Sequence, residues 1–215
     1  MKFKEVLAGF FEQGFLKNLV CIGIHAGVER KQEYGVAGFP DFLNRGSKAD
    51  QYTSFILSEL LPDIKQKTKV SEFVEKYFLG FSLGGLMAFD IVLDNPLEFN
   101  AAAVFSGSFW WRSKSLDDGY REEAHRIMHA KIRTKSLTLT QKFFFQAGTL
   151  DEVADRNNNG IIDSIDDTID IIAELEKIGY QGGKQIFYYE VENGKHDLET
   201  WGRVLPQFLH WVSSH

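Results

Sequence analysis

Residues 77–87 of the chain read YFLGFSLGGLM, and they predict the fold more directly than any other stretch. A short apolar run ends in Gly-Phe-Ser-Leu-Gly, and an apolar segment of helical character follows up to residue 94. The pattern predicts a strand, a sharp turn and a helix, with Ser82 at the tip of the turn. This G-x-S-x-G arrangement is typical of a nucleophile elbow, which presents a reactive serine above a sheet.

A serine at such a tip adopts a strained backbone, so the residues two positions before and after it must be small. Gly80 and Gly84 meet this condition because they have no Cβ. The helix predicted from Leu83 points its free N–H groups towards the place where an oxyanion would form, with the Leu83 N–H as one donor. The alternative is an ordinary Gly-Ser turn in which the Ser82 hydroxyl caps the helix.

The composition limits the class of protein. The chain has 215 residues, of which 44% are hydrophobic and 14% aromatic, as expected for a single domain with a large core. The formal net charge of −6, without a cluster of Lys or Arg, argues against a nucleic-acid partner. No apolar run approaches the roughly 20 residues that a membrane-spanning helix needs, so no membrane partner is expected. Cys21 lies in an apolar run and is predicted to be a buried thiol.

Apolar strands alternate with amphipathic helices along the chain. This alternation predicts an α/β fold with a mostly parallel sheet flanked by helices. One helical segment, 116–133, is polar and is expected to be mobile. Strands are predicted at 18–25, 76–81, 101–106, 142–147 and 185–191, helices at 2–13, 50–64 (ending near Pro62), 83–94, 116–133, 168–178 and 201–212, and a surface loop at 26–48.

Candidate catalytic residues follow the predicted strands, where parallel α/β sheets place their active sites. A serine hydroxyl becomes nucleophilic when a histidine takes its proton and a carboxylate fixes the tautomer of that histidine. In hydrolases with this elbow the chain order is serine, acid, histidine. His196, after the last strand, is the one histidine of six in the expected place. Asp151 is the expected acid, with Glu152 as its main competitor and Asp163 and Asp197 as weaker alternatives.

Further motifs accompany the elbow in order: IGI and ERKQEY within 22–34, a helical segment at 46–62, FSGSFWW at 105–111, GTLD at 148–151 and GKHDLETW at 194–201. Together they resemble the putative-esterase family of α/β-hydrolases, which includes enterochelin-esterase-like, esterase D-like and feruloyl-esterase-like proteins. The resemblance covers nearly the whole chain. It implies an α/β-hydrolase fold and hydrolysis of a carboxylic ester, with Ser82, Asp151 and His196 as the catalytic triad.

The sequence departs from this family in front of residue 19. The family has a further strand there, and the loop after that strand supplies the second oxyanion N–H, whereas the residues here read as a helix. We therefore expect a shortened sheet that lacks its N-terminal strands, with a gap that another chain could fill. The alternative is that residues 25–27 serve as the oxyanion loop. One missing donor typically lowers the rate about 10²- to 10³-fold.

Residues 155–166 read DRNNNGIIDSID and form an insertion after the predicted acid. The spacing matches an EF-hand or dockerin-type calcium loop, with a glycine at its sharp turn. We expect a structural calcium ion that rigidifies the acid-bearing loop, and no cofactor for catalysis. The alternative is an Asn-Gly-rich turn in which Asp163 caps the next helix. The expected ligands are Asp155, Asn157, Asn159, the Ile161 carbonyl, Asp163 through water, and Asp166 in place of the usual glutamate.

The sequence thus predicts a serine carboxylesterase that acts on a small-molecule ester. Two rivals stay open: a non-catalytic binding or scaffold protein that keeps the fold, and an acyltransferase on the same triad. Phe109, Trp110 and Trp111 either line the substrate pocket or pack in the core. A homo-oligomer is one option for the quaternary structure. The compartment stays open, because the first residues lack the apolar core of a signal peptide, and fold does not identify the ester.

Overall fold

Four parallel strands form the sheet of the computed structural model, which describes residues 3–15, 18–135 and 140–213. They are β1 (Tyr77–Phe81), β2 (Ala101–Phe105), β3 (Lys142–Leu150) and β4 (Ile186–Lys195). Their order across the sheet is β1-β2-β3-β4, the same as their order in the chain. All three pairings are parallel, so the predicted α/β fold with a parallel sheet is confirmed.

Helices cover both faces of the sheet. Successive side chains of a strand point to opposite faces, so apolar side chains on both faces need helices to bury them. Ala102 and Val104 of β2 belong to one hydrophobic cluster, and Ala101 and Ala103 belong to another. The helices are α1 (Phe3–Glu12), α2 (Arg30–Glu33), α3 (Ala49–Phe55), α4 (Leu61–Thr68), α5 (Leu83–Asp94), α6 (Glu122–His125), α7 (Ile127–Arg133), α8 (Asp163–Lys177) and α9 (Leu198–Ser213).

Each face of the sheet is covered by a different set of helices. α5 packs on one face together with α3, α7 and α8, and its side chains from Leu83 to Leu93 are buried. α1 and α9 cover the other face, where Phe10 and Phe208 belong to the same cluster as Phe144 of the sheet. The predicted first helix is confirmed as α1, although Lys2 lies outside the described residues. Among the helices described, none is long and apolar enough to cross a membrane.

The strand predicted at 18–25 is wrong. These residues pair with no strand in the described part of the chain, and side chains on both faces are open to solvent. Leu19 and Ile22 are each 45% exposed, and Cys21 is exposed rather than buried. An apolar run becomes a strand only when another strand satisfies its N–H and C=O groups, and apolar character alone does not provide that partner.

The helix predicted to end near Pro62 continues through it. α3 passes into a π-helical turn, Ile56–Leu60, and then into α4, which carries Pro62 in its first turn. Proline is tolerated there because the first N–H groups of a helix have no partner within it. The wider π turn shifts the hydrogen-bonding register before the proline, so the chain remains helical up to Thr68.

The segment 116–133, expected to be a polar and mobile helix, forms the short helices α6 and α7 instead. Met128, His129 and Ile132 are buried, so one face of α7 belongs to the core. Arg126 is also buried, and it forms ion pairs with Asp167 and Asp170 of α8. A charged residue such as Arg126 favours a solvent-exposed helix when only the local sequence is considered. Its partner Asp167 lies 41 residues further along the chain, so the local sequence does not show that Arg126 is paired and buried.

Candidate functional site

Ser82 occupies the turn between β1 and α5 in a strained conformation, with φ of 56° and ψ of −125°. The backbone around it is well anchored: its N–H donates to the Phe105 carbonyl at 2.9 Å, and its carbonyl accepts from the Gly85 N–H at 2.9 Å. The hydroxyl does not cap the helix, so the alternative of an ordinary capping serine is wrong. Strain of this kind persists only where surrounding contacts hold it.

The elbow has little room for a side chain at Gly80 and at Gly85, whereas the sequence predicted this restriction for Gly80 and Gly84. A Cβ on Gly80 would lie 1.8 Å from the Gly84 carbonyl oxygen, so no other residue fits. A Cβ on Gly84 itself would meet only the Tyr34 ring, at 3.7 Å, which is an ordinary contact. Gly85 is the tighter position, because its Cβ would lie 3.0 Å from Val104 and 3.2 Å from the Gly80 carbonyl.

The ends of β3 and β4 carry the predicted acid and base, and the two loops are joined. A Cβ on Gly148 would lie 2.5 Å from the Gly194 carbonyl oxygen, so the backbones touch at this point. The Asn193 N–H also donates to the Thr149 hydroxyl at 2.8 Å. Both strands extend further than predicted, and these contacts hold their ends side by side.

Asp151 lies at this junction with one satisfied and one free oxygen. Its Oδ2 accepts a hydrogen bond from the Gly148 N–H at 2.9 Å, and its buried Oδ1 has no partner within the described residues. Burial raises the pKa of the Asp151 carboxyl, and the Gly148 N–H, the Ser106 hydroxyl and His196 oppose that rise. The Ser106 hydroxyl also accepts from the Trp201 ring N–H at 2.8 Å and lies 3.5 Å from the Gln146 side-chain oxygen.

The neighbouring carboxylates have different surroundings. Burial raises the pKa of Glu152, and the charge of Asp163 raises it further. Asp197 caps α9, because its Oδ1 accepts from the Thr200 N–H at 2.8 Å and the Glu199 N–H at 3.1 Å. These backbone contacts lower the pKa of Asp197 and explain its position in the sequence without a catalytic role.

A cleft of about 270 Å³ brings these residues together above the carboxyl ends of the strands. Ser82, Asp151 and His196 all line it. At this geometry no hydrogen bond joins them among the described residues, and the His196 ring instead lies 5.1 Å from the Trp201 ring, edge to face. The full lining is Ser82, Ser106, Gly107, Ser108, Trp110, Asp151, Glu152, Ser164 and His196.

Of the three aromatic residues considered for the pocket, only Trp110 lines the cleft. Phe109 and Trp111 are fully buried, so for them the core-packing alternative is right. Trp111 fits against Gly35 and Gly46, where a Cβ would lie 2.8 Å from its ring, and it donates a hydrogen bond to the Phe39 carbonyl at 3.1 Å. These contacts come from distant parts of the chain, which the local sequence does not reveal.

The two oxyanion candidates lie in different places. Leu83 is the first residue of α5, where a backbone N–H has no partner within the helix. Residues 25–27 are exposed and do not contribute to the described lining of the cleft. The sequence also missed Ser106, Ser108 and Ser164 as lining residues. Only the aromatic residues of the FSGSFWW motif were considered for the pocket, and Ser164 lies in the insertion, which was considered only as a metal loop.

The inserted loop, 155–166, brings oxygen-bearing side chains together. Asp155 accepts the Gly160 N–H at 2.9 Å, as expected of the sharp turn. Asp166 Oδ2 lies 2.8 Å from the Asn157 amide nitrogen and 3.0 Å from that of Asn159. In the part of the chain described, no three His, Cys, Asp or Glu side chains converge as metal ligands.

The alternative in which Asp163 caps the next helix is wrong. Asp163 begins α8 but does not cap it, since the capping position is Ile162 and no side chain bonds there. Asp163 accepts the Arg156 N–H at 2.9 Å, and the Arg156 guanidinium pairs with Asp163, Asp167 and Glu122. Arg156 therefore anchors the loop to α6 and α8.

Comparisons with known proteins agree with this fold. A family model described as putative esterase matches residues 1–212. Enterochelin esterase from Shigella flexneri is similar, with a TM-score of 0.69 and 20% identity over 97% of this chain and 47% of that one. A ferulic acid esterase is similar, with a TM-score of 0.67 and 17% identity over 98% and 76% of the two chains.

A siderophore hydrolase from Aspergillus nidulans also has a similar structure, with a TM-score of 0.62 and 17% identity over 89% of this chain and 68% of the other. No curated protein matches the chain. The chain spans less than half the length of the enterobactin and enterochelin esterase structures, 37% and 47%. At these identities the structural likeness concerns the fold.

Proposed function

The chain belongs to the putative esterase family, and from this premise we propose that it hydrolyses a small-molecule carboxylic ester, with Ser82, His196 and Asp151 as the triad. The observation that carries the proposal is that the strained Ser82 shares one cleft with His196 and Asp151. A strained serine backbone is costly and is typical of a nucleophile elbow. Two of the similar structures are named enterochelin esterase and ferulic acid esterase, which favours the same reaction class.

In the proposed reaction, the Ser82 Oγ attacks the ester carbonyl while His196 takes its proton. The negative charge that develops on the carbonyl oxygen is stabilised by the Leu83 N–H at the positive end of α5. The bond to the alcohol breaks, and His196 returns the proton to the leaving alcohol. Water then repeats the sequence on the acyl-enzyme, releasing the carboxylic acid and restoring Ser82.

Asp151 is favoured over Glu152 as the acid. The unpartnered Oδ1 of Asp151 is an acceptor ready for a ring N–H, and His196 is among the groups that lower the pKa of Asp151. The charges that act on Glu152 are instead those of Asp163, Asp167 and Asp151. The proposed reaction requires the His196 ring to hydrogen-bond Asp151, and hydrogen bonds of this kind commonly tighten when substrate binds.

The test is covalent labelling with a fluorophosphonate, which reacts with an activated serine whatever the natural ester is. We expect the native protein and the Ser108→Ala variant to be labelled and Ser82→Ala to stay unlabelled. Ser108 lines the same cleft, which makes it a matched control. Labelling that persists in Ser82→Ala would contradict the proposed nucleophile, and absence of labelling in the native protein would favour the non-catalytic rival.

The acid is tested by Asp151→Asn and Glu152→Gln in an ester hydrolysis assay. Loss of the orienting carboxylate typically lowers kcat by about 10⁴-fold. We expect a loss of this size in Asp151→Asn and a much smaller one in Glu152→Gln. The reverse order would assign the acid to Glu152.

We also propose that the 155–166 loop holds a structural calcium ion, with Asp155, Asn157, Asn159, Asp166 and the Ile161 carbonyl as direct ligands and Asp163 acting through water. The convergence of Asp166 with both asparagine side chains supports this proposal. The Asn157 and Asn159 amide oxygens accept the Asn159 and Ile161 N–H groups, so ligation of the ion requires these amides to turn towards Asp166. The ion would stabilise the loop that follows Asp151.

Calcium binding is tested by calorimetric titration and thermal unfolding at millimolar calcium. With few carboxylates, a dissociation constant of about 10⁻⁴ M is expected, and the melting temperature should rise. Asp166→Asn should abolish both effects, whereas the exposed Asp117→Asn should keep them. The calcium proposal fails if the native protein shows neither heat nor a rise in melting temperature.

A further inference from the structure

Several side chains that line the cleft carry buried polar atoms without partners within the described residues. Such atoms are costly, because a buried donor or acceptor without a hydrogen bond loses the free energy of its bond to water. Within the described residues, three of them belong to cleft-lining side chains: Asp151 Oδ1, Glu152 Oε1 and Ser164 Oγ. Asp151 Oδ1 is the proposed acceptor for His196, so Glu152 and Ser164 require a different explanation.

Ser164 is the sharper of these two observations. It lies on the first turn of α8 and lines the cleft although its exposed fraction is only 7%, and its buried hydroxyl has no partner within the described residues. Its N–H lies close enough to Glu152 to lower the pKa of that carboxyl, so the two residues are neighbours. A hydroxyl beside a carboxylate offers one donor and several acceptors to a group that enters the cleft.

Trp110 lines the same cleft and adds an aromatic surface. The Arg45 guanidinium lies over its ring at 5.0 Å and also forms an ion pair with Asp41, and these contacts fix the position of the indole. An indole face packs well against C–H groups and flat rings. One aromatic side chain and two hydrogen-bonding side chains therefore face a group that has both apolar and polar parts.

The charges of the cleft restrict what this group can be. Asp151 and Glu152 place two carboxylates on the wall, and no Lys or Arg is among the described lining residues. A negatively charged group would meet repulsion there, whereas a hydroxyl can donate to Glu152 and exchange hydrogen bonds with Ser164. The size of the cleft, about 270 Å³, is near the lower end for ligand pockets, which favours a small group.

We propose that Glu152, Ser164 and Trp110 form a subsite that binds a neutral, hydroxyl-bearing part of the ester, an inference that rests on the proposed esterase function. The group packs on Trp110, donates a hydroxyl hydrogen to the Glu152 carboxylate and forms a second hydrogen bond with Ser164. Glu152 is then a specificity-determining residue, distinct from the acid of the triad. Substrates without the hydroxyl leave Glu152 and Ser164 unpaired and bind more weakly.

The test measures binding to the Ser82→Ala protein, in which the proposed nucleophile is absent, by ligand-observed NMR. Glyceryl monobutyrate is compared with propyl butyrate, so that the hydroxyls lie on the alcohol side. Ethyl 3-hydroxybutyrate is compared with ethyl butyrate, so that the hydroxyl lies on the acyl side. Monoethyl succinate, which is negatively charged, is compared with ethyl butyrate.

At least one hydroxylated ester should bind roughly 5- to 100-fold more tightly than its partner, as expected for one or two hydrogen bonds to buried groups. The pair that shows the preference identifies the side of the ester that enters the subsite. Adding Glu152→Ala should bring the ratio close to one, and Glu152→Gln, which keeps one acceptor, should give an intermediate ratio. Glu59→Gln, an exposed glutamate outside the cleft lining, should leave the ratio unchanged.

The proposal is overturned if neither hydroxylated ester is preferred by more than about twofold, or if the preference survives Glu152→Ala. Equal binding of monoethyl succinate and ethyl butyrate would overturn its claim of neutrality. Turnover of the preferred ester by the protein with Ser82 intact tests the enzymatic function separately. A binding preference without turnover supports the subsite and contradicts the proposed function, and turnover without a preference does the opposite.

Discussion

Two apolar stretches of similar length, 19–24 and Tyr77–Phe81, look alike in the sequence and differ in the structure. Tyr77–Phe81 pairs with β2 along its whole length and leads into the elbow. Residues 19–24 pair with no described strand, and several of their apolar side chains are open to solvent. The difference teaches that apolar character shows that a segment prefers burial, whereas a strand also needs a neighbour with free hydrogen-bonding groups.

The largest contrast is expected at two glycines. Gly80→Ala places a Cβ 1.8 Å from the Gly84 carbonyl, so the elbow must open, and we expect a loss of about 4 kcal/mol in unfolding free energy. Gly23→Ala meets nothing within 4 Å and should change stability by less than about 0.5 kcal/mol. Denaturant unfolding measures both. A large loss at Gly23 would mean that residues 19–24 are packed after all.

A smaller contrast is expected for apolar side chains. Leu86 of α5 is fully buried, and Leu86→Ala should cost about 3 kcal/mol, because it removes packed methyl groups and leaves a cavity. Ile22 is 45% exposed, and Ile22→Ala should cost less than about 1 kcal/mol. The same denaturant titrations test the pair, and equal losses would remove the distinction between the two stretches.

Relief of backbone strain should give a still smaller effect, of opposite sign. Ser82→Gly removes the Cβ at a φ of 56° and should raise the unfolding free energy by about 1 kcal/mol while abolishing fluorophosphonate labelling. Asn18, with a φ of 54°, is a control at the start of the unpaired stretch. Asn18→Gly should gain only a few tenths of a kcal/mol, because asparagine tolerates this conformation. Destabilisation by Ser82→Gly would show that the serine is not strained.

The smallest effect concerns the reactivity of Cys21. The structure leaves its side chain exposed, although partial burial raises the pKa of the thiol. A thiol reagent should therefore label the folded protein within about tenfold of the rate for the unfolded chain, since the thiolate reacts and its fraction falls as the pKa rises. If Cys21 were labelled only as fast as the whole protein unfolds, its thiol would be buried, as the predicted strand requires.

The sequence predicts best what is encoded locally. The elbow, α5 and the order of serine, acid and histidine depend on short motifs, and the structure places all three residues in one cleft. The separate fates of Phe109, Trp110 and Trp111 could not be predicted, because Gly35 and Gly46 bury only the third of them. Such contacts join residues that are far apart in the chain.

The subsite was missed for a similar reason. The sequence placed the start of the helix at 168, whereas α8 begins at Asp163 and carries Ser164 to the cleft. Arg156 makes this early start favourable, because its ion pairs with Asp163 and Asp167 hold the first turn of the helix. A buried arginine among acidic residues reads in the sequence as part of a solvent-exposed loop.

The contact between Gly148 and Gly194 has a consequence for a chain that is still being synthesised. More than a hundred residues separate Ser82 from His196, so at ~5 to 20 residues per second the elbow leaves the ribosome roughly ten seconds before the proposed base exists. β4 must then dock beside β3 to bring the base to the acid. If His196 is the base, a nascent chain carries Ser82 without its activating partner, and reactivity begins only after β4 has been made and has docked beside β3.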